Sequence, residues 1–155
     1  MKQVRIIMGA DPFGVEFKNT VQEHLDKQGY EIVDISGPDG LDYVEVGKQV
    51  GKAISEKKFD RGFIFCGSGM GVNIVANKFK GVYCGLCESV TTARLCRIIN
   101  NCNVLSMGGL ITGKYRAVQM ADAFMNATFT EGFDPADPAF LKDAYERVQK
   151  TEQEL

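Results

Sequence analysis

The sequence predicts an α/β protein: a three-layer α/β/α sandwich on a five-stranded parallel sheet, with one extra helix at the C-terminus. Three observations carry this expectation. Short β-rich runs alternate with amphipathic stretches along most of the chain. The runs are nearly continuous in apolar residues, as strands covered on both faces must be. The chain of 155 residues suits a single domain spanning 1–155, which at that length buries about 70% of its unfolded surface.

Residues 4–8 read as the first strand, stopped by Gly9. Residues 15–28 read as a helix because Phe17, Val21 and Leu25 lie four apart on one face, and Gly29 closes it. A second strand over 31–35 leads into Ser36-Gly37-Pro38-Asp39-Gly40, a loop on turn chemistry alone. Val46, Val50 and Ile54 mark a second helix. Strands over 61–65, 82–87 and 103–107 alternate with helices over 70–78, 89–99 and 114–126. After Thr128 the composition turns to a loop over 131–138, in which Asp137-Pro138 suits the start of a last helix over 139–152. A helix that follows a complete sheet can pack on a partner subunit or on its own domain, and both remain open.

Composition removes several function classes. With 18 basic and 20 acidic side chains and a net charge of −2, nucleic acid and anionic membrane are not the expected partners. One histidine excludes His-cluster metal sites and any mechanism needing two imidazoles, and no metal or cofactor is expected. No stretch reaches the ~18 apolar residues of a membrane span, and residues 1–10 lack a signal-peptide core and cleavage site. Five cysteines cannot all pair within one chain. The reading is reduced thiols in a cytoplasmic protein.

The most informative segment is Phe63-Ile64-Phe65-Cys66-Gly67-Ser68-Gly69-Met70-Gly71-Val72-Asn73. An apolar strand runs into a cysteine, then alternating glycines, then a helix. Ligand crevices of open α/β sheets lie at the carboxyl ends of strands. Glycines 67, 69 and 71 let backbone N–H groups approach an anion, and the helix start adds positive partial charge. There Cys66 is expected to have a lowered pKa. A thiolate beside an anion-stabilising nest suits nucleophilic attack or proton abstraction next to a carbonyl. The bland alternative is a buried strand-end cysteine in a tight turn. Nucleotide binding is disfavoured, because these glycines follow the third strand rather than the first.

Other strand ends supply company. Asp11 follows the first strand, Asp42 and Tyr43 follow the second strand's loop, and Asn100, Asn101 and Asn103 precede the fifth. Each has an ordinary reading as cap, core-edge aromatic or turn former; together they resemble a polar-ligand site. Cys84-Gly85-Leu86-Cys87 has C-x-x-C spacing but lies inside a strand, where residues three apart point to opposite faces, so these cysteines read as structural. His24, among Glu23 and Asp26, reads as a solvated surface residue.

Gly9-Ala10-Asp11, Asp42-Tyr43, Cys66-Gly67-Ser68-Gly69-Met70-Gly71, Ala76-Asn77-Lys78-Phe79, Ala93-Arg94, Asn100-Asn101-x-Asn103-Val104-Leu105 and Met107-Gly108-Gly109 occur in that order. In this series the chain resembles the ribose-5-phosphate isomerase type B family, which includes the galactose-6-phosphate isomerase subunits, over residues 3–133. The resemblance implies a Rossmann-like sandwich. It implies a homodimer or tetramer with sites built across two subunits, and leaves open a hetero-oligomer with a paralogue. It also implies aldose–ketose isomerisation of a sugar phosphate through an enediolate. Cys66 matches the base; some relatives use a glutamate at the position of Val72 instead. Ser68 and the backbone of Gly67, Gly69, Met70 and Gly71 would stabilise the enediolate. Asp11 would contact sugar hydroxyls, Asn100 would reach in from the neighbouring subunit, and Pro12 and Tyr43 complete the expected substrate-binding set.

The departures matter as much. Pro12 and Ile99 stand where the family has histidines, and Leu110, Phe133 and Asp137 where it has phosphate-binding arginines. None of these can exchange a proton with a sugar oxygen or bind phosphate as its counterpart does. A four-carbon sugar phosphate has no free hydroxyl placed to form a five-membered ring, so it needs no ring opening. The expectation is therefore an open-chain, four-carbon substrate. Arg94, Arg97 or Lys114 are candidate phosphate anchors, each equally readable as a surface charge. A non-catalytic or partner-dependent subunit, or a sugar-binding module, is the alternative. A thiol redox role lacks a resolving cysteine beside Cys66.

Overall fold

The computed structural model describes residues 3–155; the first two residues of the expected domain lie outside the described residues. Five strands, β1 (Arg5–Ala10), β2 (Glu31–Asp34), β3 (Arg61–Cys66), β4 (Cys84–Leu86) and β5 (Val104–Gly108), form one sheet in the order β2-β1-β3-β5-β4. All four pairings are parallel. The helices are α1 (Val15–Lys27), α2 (Tyr43–Ser55), α3 (Met70–Ala76), α4 (Val90–Asn100), α5 (Lys114–Asn126) and α6 (Pro138–Gln153).

Alternation along each central strand sorts the core into two layers. Ile6, Met8 and Ala10 of β1, Phe63 and Phe65 of β3, and Leu105 and Met107 of β5 pack with α1, α4 and α5. Ile7, Ile64, Cys66 and Val104 face Val46, Val50 and Ile54 of α2 and Val72 and Ala76 of α3. The expected three-layer sandwich and its parallel sheet are thus present.

Three local expectations need correction. The edge strand β2 alternates exposed and half-buried residues instead of running continuously apolar. The fourth strand is Cys84–Leu86 rather than 82–87, and side chains take the backbone N–H groups at its start. The Tyr83 N–H goes to Asn103 Oδ1 at 2.9 Å and the Cys84 N–H to Asn77 Oδ1 at 2.8 Å. His24 is no solvated bystander: its Nε2 lies 2.8 Å from Asp122 Oδ1, tying α1 to α5.

The last helix starts where Asp137-Pro138 indicated. Asp137 Oδ1 accepts the Ala139 N–H at 2.8 Å, and Pro138 occupies the first turn. It is held to its own domain by Tyr145, edge-on to Tyr83 and Phe129, and by Glu152, which accepts from the Tyr83 hydroxyl and the Gly81 N–H at 2.9 Å.

A charged pair lies beneath the carboxyl edge of the sheet. Lys18, on the buried face of α1, is 1% exposed and donates to Asp34 Oδ2 and to the Gly37 carbonyl. Asp34 Oδ1 accepts from the Ser36 hydroxyl at 2.8 Å, whose oxygen accepts the Ala10 N–H at 3.1 Å. The network thus joins α1, the end of β2 and the end of β1. Burial pushes the Asp34 carboxyl up, but hydrogen bonds from Lys18 and Ser36 outweigh it and hold the pKa below the ordinary 3.8. A depressed carboxylate contributes stability above its ordinary pKa, and that contribution is lost as pH falls through the folded value. Asp34→Asn should cost about 3–5 kcal/mol in urea unfolding at pH 7, because it strands a buried lysine. The gap from the parent protein should close below about pH 4; a gap constant from pH 7 to pH 3 would contradict this account.

Candidate active site

The strand order reverses between β1 and β3, and a crevice at such a reversal is the usual ligand site of an open α/β sheet. The register sets Ala10 beside Phe65 and Cys66 beside Gly108, so the loops after β1, β3 and β5 leave the sheet at one level. They are then hydrogen-bonded together. The Asp11 N–H goes to the Phe65 carbonyl at 3.0 Å, the Gly109 N–H to the Cys66 carbonyl at 2.7 Å and the Leu110 N–H to the Gly67 carbonyl at 2.9 Å.

Cys66 ends β3, 5% exposed, and its Sγ accepts the Gly69 N–H at 3.1 Å. Gly69 makes that possible by adopting φ +80° at the start of α3. A methyl there would lie 2.7 Å from Leu86 Cδ1 and 2.9 Å from the Met107 carbonyl carbon. Ser68 Oγ accepts the Met70 N–H at 3.2 Å. Of the expected amide nest, the groups of Gly69 and Met70 are therefore already engaged, and the expectation narrows to Gly67, Ser68 and Gly71.

Asp11 is 8% exposed, and its Oδ1 accepts from the Phe13 and Gly14 N–H groups at 2.9 and 3.1 Å. Burial pushes its pKa up; those two bonds oppose the rise and the nearby Asp42 carboxylate adds to it. Asp42 caps α2 by accepting the Val44 N–H at 2.9 Å. Pro12 lies exposed in the turn between Asp11 and Phe13. The ring of Tyr43 covers Gly71, where a Cβ would sit 2.7 Å from Cδ2 and Cε2. Cys66, Ser68, Asp11, Pro12, Tyr43 and the Gly67–Gly71 backbone thus come together.

The remaining candidates do not join them within one chain. Asn100 ends α4, at the opposite, amino end of the sheet. Arg97 is corrected outright. It is 5% exposed, lies 5.9 Å from the Phe124 ring centroid, and donates to Asn101 Oδ1 and the Cys102 carbonyl at 2.9 and 2.7 Å. It is an internal brace whose pKa burial lowers to about 10. Arg94 donates to the Gly132 carbonyl at 2.8 Å, and Lys114 pairs with Glu16 at 3.5 Å. Cys84, Cys87, Cys96 and Cys102 are free thiols, as a structural reading requires.

Sequence reasoning overlooked Phe13 and read Leu110 only as a missing arginine; they are 65% and 73% exposed beside Gly67. Nothing local in the sequence marks them, since they meet only because loops after β1 and β5 converge.

Comparison with known proteins agrees with this fold. A model of the Ribose/Galactose Isomerase family matches residues 6–136. The 4-deoxy-4-sulfo-D-erythrose isomerase of Clostridium sp. strain MSTE9 is 36% identical over 155 residues, covering 98% of each chain. The D-erythrulose-4-phosphate isomerase of Pectobacterium atrosepticum is 33% identical over 130 residues, covering 82% of this chain and 86% of that one. Among solved structures, ribose-5-phosphate isomerase B from Mycoplasma genitalium with bound ribulose-5-phosphate superposes with a TM-score of 0.89 at 26% identity, over 100% of both chains.

A raised carboxyl is relatively destabilising once ionised, so the Asp11 charge costs stability above its folded pKa and costs nothing below its ordinary one. Asp11→Asn should therefore unfold no more easily than the parent protein at pH 7, and its advantage should shrink as pH is lowered through the carboxylate range. Chemical denaturation across that range checks this; a marked loss at pH 7 would refute it.

Proposed function

Because the chain belongs to the Ribose/Galactose Isomerase family and is an aldose–ketose isomerase, we propose that its substrate is an open-chain, four-carbon sugar with an anionic group on C4. The observation that carries this reading is the pairing of a complete Cys66 turn with apolar residues where proton-exchanging and cationic ones are expected. The sulfur receiving the Gly69 N–H supports the base, while Pro12, Ile99 and Leu110 provide neither ring-opening acid nor phosphate clamp.

The chemistry follows from those residues. Cys66, as thiolate, takes the proton from the carbon next to the carbonyl. The electron pair moves into an enediolate; Cys66 then delivers a proton, exchanged in part with solvent, to the neighbouring carbon while the hydroxyl proton passes from one oxygen to the other, leaving the composition unchanged. The Ser68 hydroxyl and the amides of Gly67, Ser68 and Gly71 stabilise the developing oxyanion. Asp11 holds a hydroxyl, and Tyr43 and Pro12 close the sides of the crevice. Asn100 comes from a second copy in a homodimer or tetramer, since it lies at the far end of its own sheet.

Substitution at C4 removes the hydroxyl that would close a five-membered ring, whether the substituent is phosphate or sulfonate. The two relatives named for four-carbon substrates carry one of each. Charge favours the sulfonate: it is singly charged, whereas a phosphate monoester carries about −1.5 to −2 at neutral pH, and this chain lacks arginines at positions 110, 133 and 137.

Purified protein should interconvert 4-deoxy-4-sulfo-erythrose and its 2-keto isomer, and turn over erythrose 4-phosphate more slowly. In D2O, deuterium should enter the position next to the carbonyl. Cys66→Ala should lower kcat by about a hundred- to ten-thousand-fold with the melting curve preserved. Turnover confined to pentose or hexose phosphates would sink the four-carbon reading. Activity appearing only on addition of a paralogous chain would favour the partner-dependent subunit.

A further inference from the structure

Two large apolar side chains stand in water beside the reacting residue. Phe13 is 65% and Leu110 73% exposed. A Cβ built on Gly67, the residue after Cys66, would lie 3.3 Å from Leu110 Cδ1 and 3.6 Å from Phe13 Cβ. Both therefore flank the turn that carries the base. Neither is loosely placed. Leu110 is held through its N–H to the Gly67 carbonyl at 2.9 Å, and the Thr112 N–H returns to the Gly108 carbonyl at 2.9 Å. Phe13 is held through its N–H to Asp11 Oδ1 at 2.9 Å, and its backbone lies against Gly109. Two neighbouring apolar side chains at a crevice rim offer surface that a ligand can cover.

The wall they make is fixed at its backbone and uncharged. The cations nearest in sequence are committed elsewhere: Lys114 to Glu16 and Lys18 to Asp34. A sugar carbon bearing a hydroxyl or an ionised group would lose hydration against this wall and gain no hydrogen bond, which is costly. Substrate atoms beyond a certain distance from Cys66 are therefore excluded on both size and polarity.

We propose that Phe13 and Leu110 are specificity residues that limit the length of the sugar chain accepted at Cys66. This rests on the four-carbon reading of the site. Truncating either side chain opens room for one more hydroxymethylene unit. A pocket change of that size shifts selectivity by about tenfold or more.

The test measures kcat/KM for a four-carbon and a five-carbon sugar phosphate with the parent protein, Phe13→Ala, Leu110→Ala and the double variant. Melting curves and gel filtration are run on each. The expected result is a four-to-five-carbon preference in the parent protein that falls by about tenfold or more in each single variant and further in the double. If the parent protein prefers four carbons and the folded variants keep the ratio within about twofold, the wall proposal fails while the four-carbon reading stands. If the parent protein shows no such preference, both fail together. A change in molecular size with an unchanged ratio would assign the two side chains to a subunit contact and overturn the proposal.

Discussion

Three loops meet at the carboxyl edge of this sheet through backbone alone, and the site depends on that contact. A methyl on Gly108 would lie 2.5 Å from the Ser68 carbonyl carbon, and one on Gly14 would lie 2.6 Å from Phe65 Cβ. No side chain fits at either place. The contact is a consequence of strand order: β1, β3 and β5 are neighbours in the sheet although they are far apart in sequence. Their ends are level, so the loops touch, and touching loops exchange hydrogen bonds through Asp11, Gly109 and Leu110. Cys66 is held by this scaffold and by packing of its side chain in the layer shared with α2 and α3, so its sulfur is placed before any ligand arrives.

Electrostatics divide the molecule in a way that bears on what the crevice accepts. Asp11 and Asp42 bring negative charge to it. Lys18 lies beneath it, but its charge is spent on Asp34. Arg97 carries its charge into the core near Phe124. A dianionic ligand entering from one side would thus find few uncommitted cations in its own subunit. This agrees with an assembly in which a second copy completes the site, and with a substrate end of modest charge.

Much of this was legible in the sequence where the signal was local. The strand-to-glycine turn at residues 66–71 lies within one short segment, so its geometry follows from residue type: glycine permits the positive φ at Gly69 and the sulfur lies three residues upstream. The start of α6 was legible for the same reason, since Asp137 and Pro138 act on the adjacent turn. Residues whose environment is made by distant segments were misread. Arg97 looks like a surface charge until its place four residues after Ala93, on the buried side of α4, is given weight. Lys18, which the sequence reading passed over, lies in register with Val15, Val21 and Leu25 on α1. A long cation on an apolar face demands an internal acceptor, and the sequence does not reveal that Asp34 and the Gly37 carbonyl supply it.

The apolar replacements around Cys66 have a physical logic beyond the loss of older contacts. An enediolate concentrates negative charge on oxygen, and the amides that stabilise it act more strongly as the surrounding dielectric falls. Water admitted to the crevice would screen them and could protonate the intermediate at the wrong place. On the four-carbon reading no ring needs opening, so a polar side chain at position 12 would bring water without contributing a proton transfer. Pro12 and Leu110 instead line the approach with surface that water solvates poorly. Burial pushes the Asp11 pKa up in the turn after β1, against the two backbone hydrogen bonds its carboxylate accepts. On the four-carbon reading the same apolar residues set their surface beside the turn at which the proposed proton transfer at carbon takes place.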